Sequence, residues 1–188
     1  MASSQQLPAS TSILQNEDTT VVEQMMKEAE KILLSNNPNV EKMQLQIAGC
    51  ILNITKGSRL HIHNKHDWSG QVSFRAEFPT EIPIGGTAKF VHYGAPSKGS
   101  KAAVVYASVN CAWLLAWYVP FGDEPNKVYV ENGAKENYNV IDWYEIERKL
   151  EASGNMSVYE DVPTRCKSIA ELNGDGKKVK LGAMFLNG

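Results

Sequence analysis

The sequence predicts a mainly β protein, an antiparallel β-sandwich with an N-terminal amphipathic helix and one shorter helix. Short apolar or alternating segments follow one another from residue 45 to residue 131, with Gly- and Pro-rich turns between them. Helical periodicity is confined to residues 19–35 and 142–152. The 188 residues and the 43% hydrophobic content suit one core domain. We therefore expect a flexible tail over residues 1–16 and a single domain over residues 17–188.

The N-terminal segment carries the longest helical pattern. Residues 1–16 are rich in Ser, Gln and Thr and have no apolar periodicity, which is typical of a flexible tail. Thr20 and Glu23 then stand at capping-box spacing, and Asn36-Asn37-Pro38 ends the pattern. The apolar residues at helical spacing are Val21, Val22, Met25, Met26, Ala29, Ile32 and Leu33. They predict an amphipathic helix over residues 19–35.

The strand candidates begin directly after this helix. They are residues 45–54 with a bulge at Gly49, then 59–64, 72–78, 88–93, 102–109, 112–119 and 127–131. A second helix is expected over residues 142–152, where Trp143, Ile146 and Leu150 share one face. Residues 167–172 and 178–185 then form a hairpin, because Asn173-Gly174-Asp175-Gly176 supplies residues that favour positive φ.

Residues 112–119 are the most apolar strand, and both of its faces are apolar. Alternation places Trp113, Leu115, Trp117 and Val119 on one face and Leu114, Ala116 and Tyr118 on the other. Such a pattern is expected of a central strand that is covered on each side. The longest apolar run, residues 112–121, is much shorter than the roughly 20 residues that span a bilayer.

Composition and charge exclude several function classes. The net charge of −2 gives no basic excess for neutralising phosphates, so we expect no nucleic-acid partner. Residues 1–15 lack the basic and apolar regions of a secretory signal. The three cysteines, Cys50, Cys111 and Cys166, are an odd number without framework spacing, which indicates buried reduced thiols. These features predict a cytoplasmic monomer.

No group of residues predicts an active site. Residues 94–101 resemble a phosphate-binding loop, but Ser100-Lys101 reverses the order of its last two residues and a strand follows where a helix is needed. His61 and His63 lack the third and fourth ligands that zinc requires. Cys111 begins an apolar strand, where burial disfavours the thiolate. We therefore expect no enzyme activity, no metal and no cofactor.

The unusual feature of the composition is aromatic. The chain has sixteen Phe, Trp and Tyr residues, many of them between positions 113 and 144. Core packing explains most aromatics in proteins, but rings with polar tips at the end of a sandwich also suit sugars, choline-type cations or membrane interfaces. Tyr118, Phe121, Trp143 and Tyr144 are expected at such a rim.

Residues 53–131 carry a series of ordered motifs. These are Asn53-x-Thr55-x-Gly57, Asp67-Trp68-x-Gly70, Pro79-Thr80-x-Ile82, Ala88-x-Phe90, Gly99-Ser100, Ala103-Val104-Val105-Tyr106, Cys111-x-Trp113-Leu114, Trp117-x-Val119-Pro120 and Val128-Tyr129-x-Glu131. This stretch resembles the small jasmonate-induced proteins of plants. The resemblance implies a stress- and hormone-responsive protein without an assigned reaction.

A second resemblance is to the actinoporin-like β-sandwich of pore-forming cytolysins and fungal fruit-body lectins. It rests on a helix before the sandwich, on Val119-Pro120-Phe121 at the end of an apolar strand, and on Trp143-Tyr144 in the second helix. It implies that Tyr118, Pro120, Trp143 and Tyr144 lie near a headgroup pocket. The full set of candidate ligand-binding residues is Trp68, Tyr118, Pro120, Phe121, Tyr138, Trp143 and Tyr144.

Two functions follow from these observations. The first is a non-enzymatic stress or defence protein of the jasmonate-induced type that binds a glycan, a lipid headgroup or a protein. The alternative is a membrane-active, actinoporin-like pore-forming protein whose N-terminal helix detaches. A membrane-surface helix usually carries Lys and Arg on its polar face, whereas residues 17–30 contain five acidic residues and one lysine. The acidic face favours a helix that docks on the protein itself.

Overall fold

The computed structural model describes residues 16–35, 45–57, 59–174 and 176–187. Of the predicted tail, residues 1–15 lie outside this part, as does the predicted helix end at 36–38. The elements, in order, are α1 (Asn16–Ser35), β1 (Gln46–Ile54), β2 (Leu60–Ser69), β3 (Gln71–Val72), β4 (Glu81–Ile82), β5 (Thr87–Tyr93), β6 (Ser100–Ala107), β7 (Cys111–Val119), β8 (Lys127–Ala134), a 3₁₀ helix (Lys135–Tyr138), α2 (Trp143–Glu151), β9 (Met156–Asp161), β10 (Cys166–Asn173) and β11 (Lys178–Asn187).

The strands form two stacked sheets, which confirms the predicted sandwich. One sheet has six strands in the order β3-β5-β1-β11-β10-β9, and the other has five in the order β4-β2-β6-β7-β8. Neighbouring strands are antiparallel except for β1 and β11, which run parallel. The main core between the sheets includes Phe78, Phe90, Trp113, Trp117 and Phe185, each no more than 7% exposed.

Strand β7 is covered on both faces, as its sequence predicts. Trp113, Leu115 and Trp117 lie in the main core between the sheets. Leu114 and Ala116 belong to a second, smaller core on the outer face of the five-stranded sheet, where Ile146 and Leu150 of α2 cover them. A strand with apolar side chains on both faces can be stable only when each face is removed from water.

Helix α1 lies on the outer face of the six-stranded sheet. Met25, Ala29 and Leu33 pack on Ala48, Cys50 and Val91, while Val22 packs on Ile169 and Met184. Gly182 of β11 permits this close approach, because a Cβ there would lie 2.8 Å from the Val22 carbonyl oxygen. The apolar stripe predicted from the sequence is therefore the face that docks on the sandwich.

The acidic face of α1 is matched by lysines of the sheet. Lys89 lies 2.6 Å from Glu28, Lys167 lies 2.6 Å from Asp18, and Lys180 lies 3.5 Å from Glu30. Three strands thus supply one cation each to the same helix. This complementarity explains why the N-terminal segment is acidic in a nearly neutral chain.

The structure corrects three expectations about the strands. The predicted bulge at Gly49 is wrong, because β1 keeps continuous register with both neighbours; a side chain there would collide with the Phe90 ring, 2.2 Å from an ideal Cβ. The predicted strand 72–78 is reduced to β3, since the chain turns at residues 74–76 and leaves Phe74 80% exposed. The predicted strand 59–64 ends too early, since β2 continues to Ser69; an irregularity in its pairing with β6 between Ile62 and Asn64 obscures the alternation at that point.

Strands β4 and β9 were not predicted from the sequence. Strand β4 has only two residues, and β9 is an edge strand whose side chains are all at least partly exposed.

The three thiols are buried and reduced, as expected. Burial raises the pKa of Cys50 to about 11 and that of Cys166 to about 12. In the described part of the chain, neither helix has the length and apolar character to cross a membrane.

Candidate ligand-binding surface

Helix α2 builds one outer surface of the molecule over a floor of small residues. The Asp142 carboxylate caps the helix by accepting hydrogen bonds from the backbone N–H groups of Tyr144 and Glu145, both at 3.1 Å. Ala103 and Ala116, which pair across β6 and β7, lie in the floor beneath it. Such small side chains let a helix approach a sheet closely, so residues at the start of α2 reach β2.

Three rings meet where the start of α2 reaches β2. His66 stacks on Trp143 with ring centroids 4.7 Å apart, and its ring lies edge-to-face with Trp68 at 4.6 Å. Trp68 and Trp143 are themselves edge-to-face at 5.9 Å. Both indoles are half-buried, and the adjacent Tyr144 is 78% exposed. We refer to His66, Trp68, Trp143 and Tyr144 as the aromatic surface.

A β-bulge directs Trp68 to this surface. Asp67 pairs with Ala102 and Ser69 pairs with Lys101, so Trp68 is the extra residue between them. A bulge of this kind re-aims a side chain and is common next to functional sites. Its unpaired position explains how a strand residue comes to lie against the first residue of α2.

Tyr118 also lies under α2, but a cation of the protein itself covers its ring. The Lys101 ammonium stands 4.4 Å from the centroid of that ring and pairs with Glu147 at 2.9 Å and with Glu151 at 2.5 Å. Burial alone would lower the pKa of Lys101, but the hydrogen bonds with the two carboxylates raise it overall. The face of Tyr118 that a choline-type cation would use is therefore occupied.

The remaining predicted residues lie at separate places. Tyr138 is buried under α2, and burial together with nearby Glu131 raises the pKa of its hydroxyl. Pro120 is buried at the end of β7, whereas Phe121 is 61% exposed on the following loop. Of the seven residues predicted from the sequence, Trp68 and Trp143 are thus in contact, Tyr144 follows Trp143 in α2 and is exposed, and Tyr118 is covered under the same helix.

His66 is the member of this surface that the sequence analysis missed. It lies beyond residue 64, where the predicted strand ended. The alternation of His66 with Trp68 is a period-two signal that could have extended the strand. His61 and His63, which were considered as a pair, have separate partners: the His61 ring faces Glu81 at 3.7 Å, and His63 Nε2 lies 3.2 Å from the Tyr138 carbonyl.

A Ser-His-Asp chain lies inside the sandwich, but its serine is closed to substrate. Ser100 Oγ lies 2.8 Å from His92 Nδ1, and His92 Nε2 lies 3.1 Å from Asp67 Oδ1. Ser100 and His92 are fully buried, and Ser100 Oγ also accepts a hydrogen bond from Trp117 Nε1 at 3.0 Å. The serine hydroxyl therefore has a structural partner on each side. Its burial leaves no path by which a substrate could reach it.

Comparison with known proteins gives the family. The sequence matches the Nakanori-like protein family over residues 1–181. The chain belongs to this family. It is also 34% identical over 131 residues to a jasmonate-induced protein homolog of Atriplex canescens, an alignment that covers 65% of this chain and 70% of that protein. The resemblance to jasmonate-induced proteins is thereby confirmed.

A solved structure of the family has the same fold. The crystal structure of the lipid binding protein Nakanori superimposes with a TM-score of 0.66 at 15% sequence identity, covering 90% of this chain and 81% of that one. At this identity the match supports the fold of the Nakanori-like chain described here. It agrees with the mainly β architecture expected from the sequence.

Proposed function

We propose that this Nakanori-like chain is a non-enzymatic, stress-responsive protein of the jasmonate-induced type that binds a membrane lipid headgroup through the aromatic surface. The observation that carries the proposal is the position of Tyr144, which is 78% exposed and directly follows Trp143, whose half-buried indole contacts that of Trp68 outside the main core. Tyr and Trp rings are favourable at the boundary of a bilayer because each has an apolar body and a polar tip. Nakanori, which has the same fold, is described as a lipid binding protein.

The docking of α1 favours lipid binding over pore formation, the alternative from the sequence. Release of the helix would expose Val22, Met25, Met26 and Leu33, each at most 7% exposed, at a cost of about 1.5–3 kcal/mol for each large apolar side chain. It would also separate Glu28 from Lys89 and Asp18 from Lys167. Anionic lipids would in addition repel the acidic face of the helix.

Vesicle flotation tests the proposal. The protein is mixed with vesicles of phosphatidylcholine alone and of phosphatidylcholine with phosphatidylserine, and the floated fraction is measured. We expect wild type to float and Tyr144→Ala to lose most of that binding. The matched control is Phe74→Ala, since Phe74 is 80% exposed at the turn after β3, and it should float like wild type.

Three outcomes would contradict the proposal. Failure of wild type to float with either vesicle would contradict lipid binding. Equal loss in Tyr144→Ala and Phe74→Ala would contradict the location of the site. Release of dye from loaded vesicles by wild type, at concentrations that give binding, would instead support the pore-forming alternative.

A further inference from the structure

A large cavity lies away from the aromatic surface, at the opposite end of α2. It has a volume of about 710 Å³ and is bounded by the loop before β8, the loop between α2 and β9, and the end of β10. A second cavity of about 330 Å³ adjoins it and shares Pro125, Asn126 and Gly174. We refer to the larger cavity as the amide cleft. Its volume is in the range of about 300–1,000 Å³ that is usual for small-molecule sites.

Hydrogen bonds hold the walls of the amide cleft together. The Val128 N–H donates to the Gly154 carbonyl at 2.8 Å, and the Leu172 N–H donates to the Asn155 carbonyl at 2.8 Å. The Asn126 side chain donates to the Gly174 carbonyl at 3.1 Å, which joins the loop before β8 to the end of β10. Three separate loops are thus fixed to one another before a ligand arrives. A preformed site of this kind avoids much of the entropic cost of binding.

The chemistry of the lining is polar and uncharged. The described residues that line the amide cleft include Asn126, Ser153, Asn155 and Asn173, and none of them is Lys, Arg, Asp or Glu. The exposed amides of Asn155 and Asn173 each offer two N–H donors and a carbonyl acceptor, a combination that suits vicinal hydroxyl groups. Pro125, which is exposed, adds apolar surface for the C–H face of a ring.

We propose that the amide cleft binds a neutral saccharide. The uncharged lining offers no counter-charge to a phosphate or a carboxylate, and Asp123 and Glu124 of the adjoining cavity would repel such anions. The cleft is independent of the aromatic surface, since α2 has nine residues and therefore separates the two by about 13 Å. The saccharide can be free in solution or the headgroup of a glycolipid, and the chemistry of recognition is the same.

A variant that fills the cleft gives a sharp test. Gly154 is suitable because an ideal Cβ on it meets no heavy atom within 4 Å and its backbone is outside the left-handed region. Gly154→Trp should therefore occupy the cleft without straining the fold. Val162→Trp is the matched control: Val162 is 78% exposed beyond the other end of β9, so the same bulk is added far from the cleft.

The experiment has two arms. In the first, saturation-transfer NMR is recorded with D-glucose, D-galactose, D-mannose and N-acetyl-D-glucosamine. In the second, flotation is measured on phosphatidylcholine vesicles with and without a galactolipid. We expect saccharide binding in at least one arm for wild type and Val162→Trp, and a loss of at least tenfold in affinity for Gly154→Trp. Asn155→Ala and Asn173→Ala, both at exposed positions, should weaken the same binding.

The two arms distinguish the source of the saccharide and separate this site from the lipid site. Signals with free sugars assign a soluble ligand, whereas capture that depends on the galactolipid assigns a headgroup. Binding to plain phosphatidylcholine that is lost in Tyr144→Ala and kept in Gly154→Trp belongs to the aromatic surface. Absence of any saccharide signal in both arms, or unchanged binding by a folded Gly154→Trp, would overturn the proposal.

Discussion

The imidazole of His92 lies 3.1 Å from the carboxylate of Asp67 and connects the two sheets of the sandwich. His92 belongs to β5 of the six-stranded sheet, and Asp67 belongs to β2 of the five-stranded sheet. The other ring nitrogen of His92 contacts Ser100 Oγ of β6, which accepts from Trp117 of β7. With the imidazole proton on Nε2, each group in this chain has a partner. The network, which we call the polar clamp, therefore joins the two sheets by buried hydrogen bonds.

His92→Ala should destabilise the fold strongly. Removal of the ring leaves Ser100 and Asp67 without this partner and creates a cavity, so the free energy of unfolding should fall by about 2–4 kcal/mol. Urea denaturation measures the change. His61→Ala is the control, because the His61 side chain is 63% exposed and its loss should change the free energy by about 0.5 kcal/mol or less. Equal midpoints for His92→Ala and wild type would contradict the clamp.

Three of the motifs that gave the family resemblance are explained by this clamp. Asp67, Ser100 and Trp117 supply its polar groups. Gly70 has φ +94°, and a Cβ there would lie 2.7 Å from the His92 ring, so only glycine fits. The resemblance thus detected residues that hold the sheets together, and it could not by itself indicate a ligand site.

A second motif, Asn53-x-Thr55-x-Gly57, is structural in the same way. The Asn53 amide donates to the carbonyls of Ile82 and Pro83 at 3.0 and 3.2 Å and accepts from the Thr55 hydroxyl at 2.6 Å. It joins the turn after β1 to the turn after β4. Gly57 has φ +73° in that first turn, where a glycine is favoured.

Periodicity predicted the parts of the fold that bury one regular face. Helix α1, helix α2 and the two-sided burial of β7 all follow from spacing along the chain. The parallel pairing of β1 with β11 could not be predicted, because it joins segments more than a hundred residues apart and no turn fixes its register. The bulge at Trp68 was also missed, since it lies beyond residue 64, where the predicted strand ended.

Local sequence patterns could predict only part of the candidate site. Exposed aromatics were expected near the second helix, and Trp143 and Tyr144 lie there. The covering of Tyr118 by Lys101 depends on two carboxylates that α2 brings over β6, which no local pattern contains. The amide cleft is likewise formed by three loops that are distant in sequence.

Two adjacent leucines of α1 provide a test of its docking. Leu33 is 4% exposed and Leu34 is 77% exposed. Leu33→Glu would bury an unpaired charge and should lower the free energy of unfolding by about 2–4 kcal/mol. Leu34→Glu adds the same charge in water and should change it by about 0.5 kcal/mol or less. Denaturation midpoints are measured together with leakage from dye-loaded phosphatidylcholine vesicles.

One combination of results would contradict the docking of α1 on the sandwich. If Leu33→Glu keeps the wild-type midpoint but abolishes vesicle leakage, the stripe of α1 acts on membranes and not on the sandwich. We expect a lowered denaturation midpoint for Leu33→Glu alone. We expect no vesicle leakage from wild type, Leu33→Glu or Leu34→Glu.

The contact of α1 with Lys89 should depend on pH. Hydrogen bonds with Lys31 and Lys89 lower the pKa of Glu28 from 4.5 to about 2. Because the pKa is lower in the folded state, the stabilisation by Glu28 is complete above pH 4.5 and is lost as the pH falls towards 2. The difference in melting temperature between wild type and Glu28→Gln should therefore shrink over this range. Glu124→Gln is the matched control, because it removes the same charge on the loop after β7, away from α1.

A constant difference between wild type and Glu28→Gln from pH 7 to pH 2 would contradict this assignment. Lys89→Gln provides a second measurement, since it removes one of the two partners of Glu28. It should reduce the same pH-dependent component without eliminating it, because Lys31 remains 2.5 Å from the carboxylate.

Gly182→Ala should loosen α1 while leaving the sandwich intact. The new Cβ would lie 2.8 Å from the Val22 carbonyl oxygen and 3.2 Å from the Met26 backbone nitrogen, so the helix backbone itself must move away from β11. Overpacking of this kind typically costs about 1–3 kcal/mol. Hydrogen exchange measured by mass spectrometry should show faster exchange in peptides from α1 and unchanged exchange in β6 and β7. Gly154→Ala, whose Cβ meets nothing within 4 Å, should exchange like wild type throughout. Faster exchange spread over both sheets would show instead that the strain enters the six-stranded sheet, and that Gly182 is needed for the strand rather than for the helix.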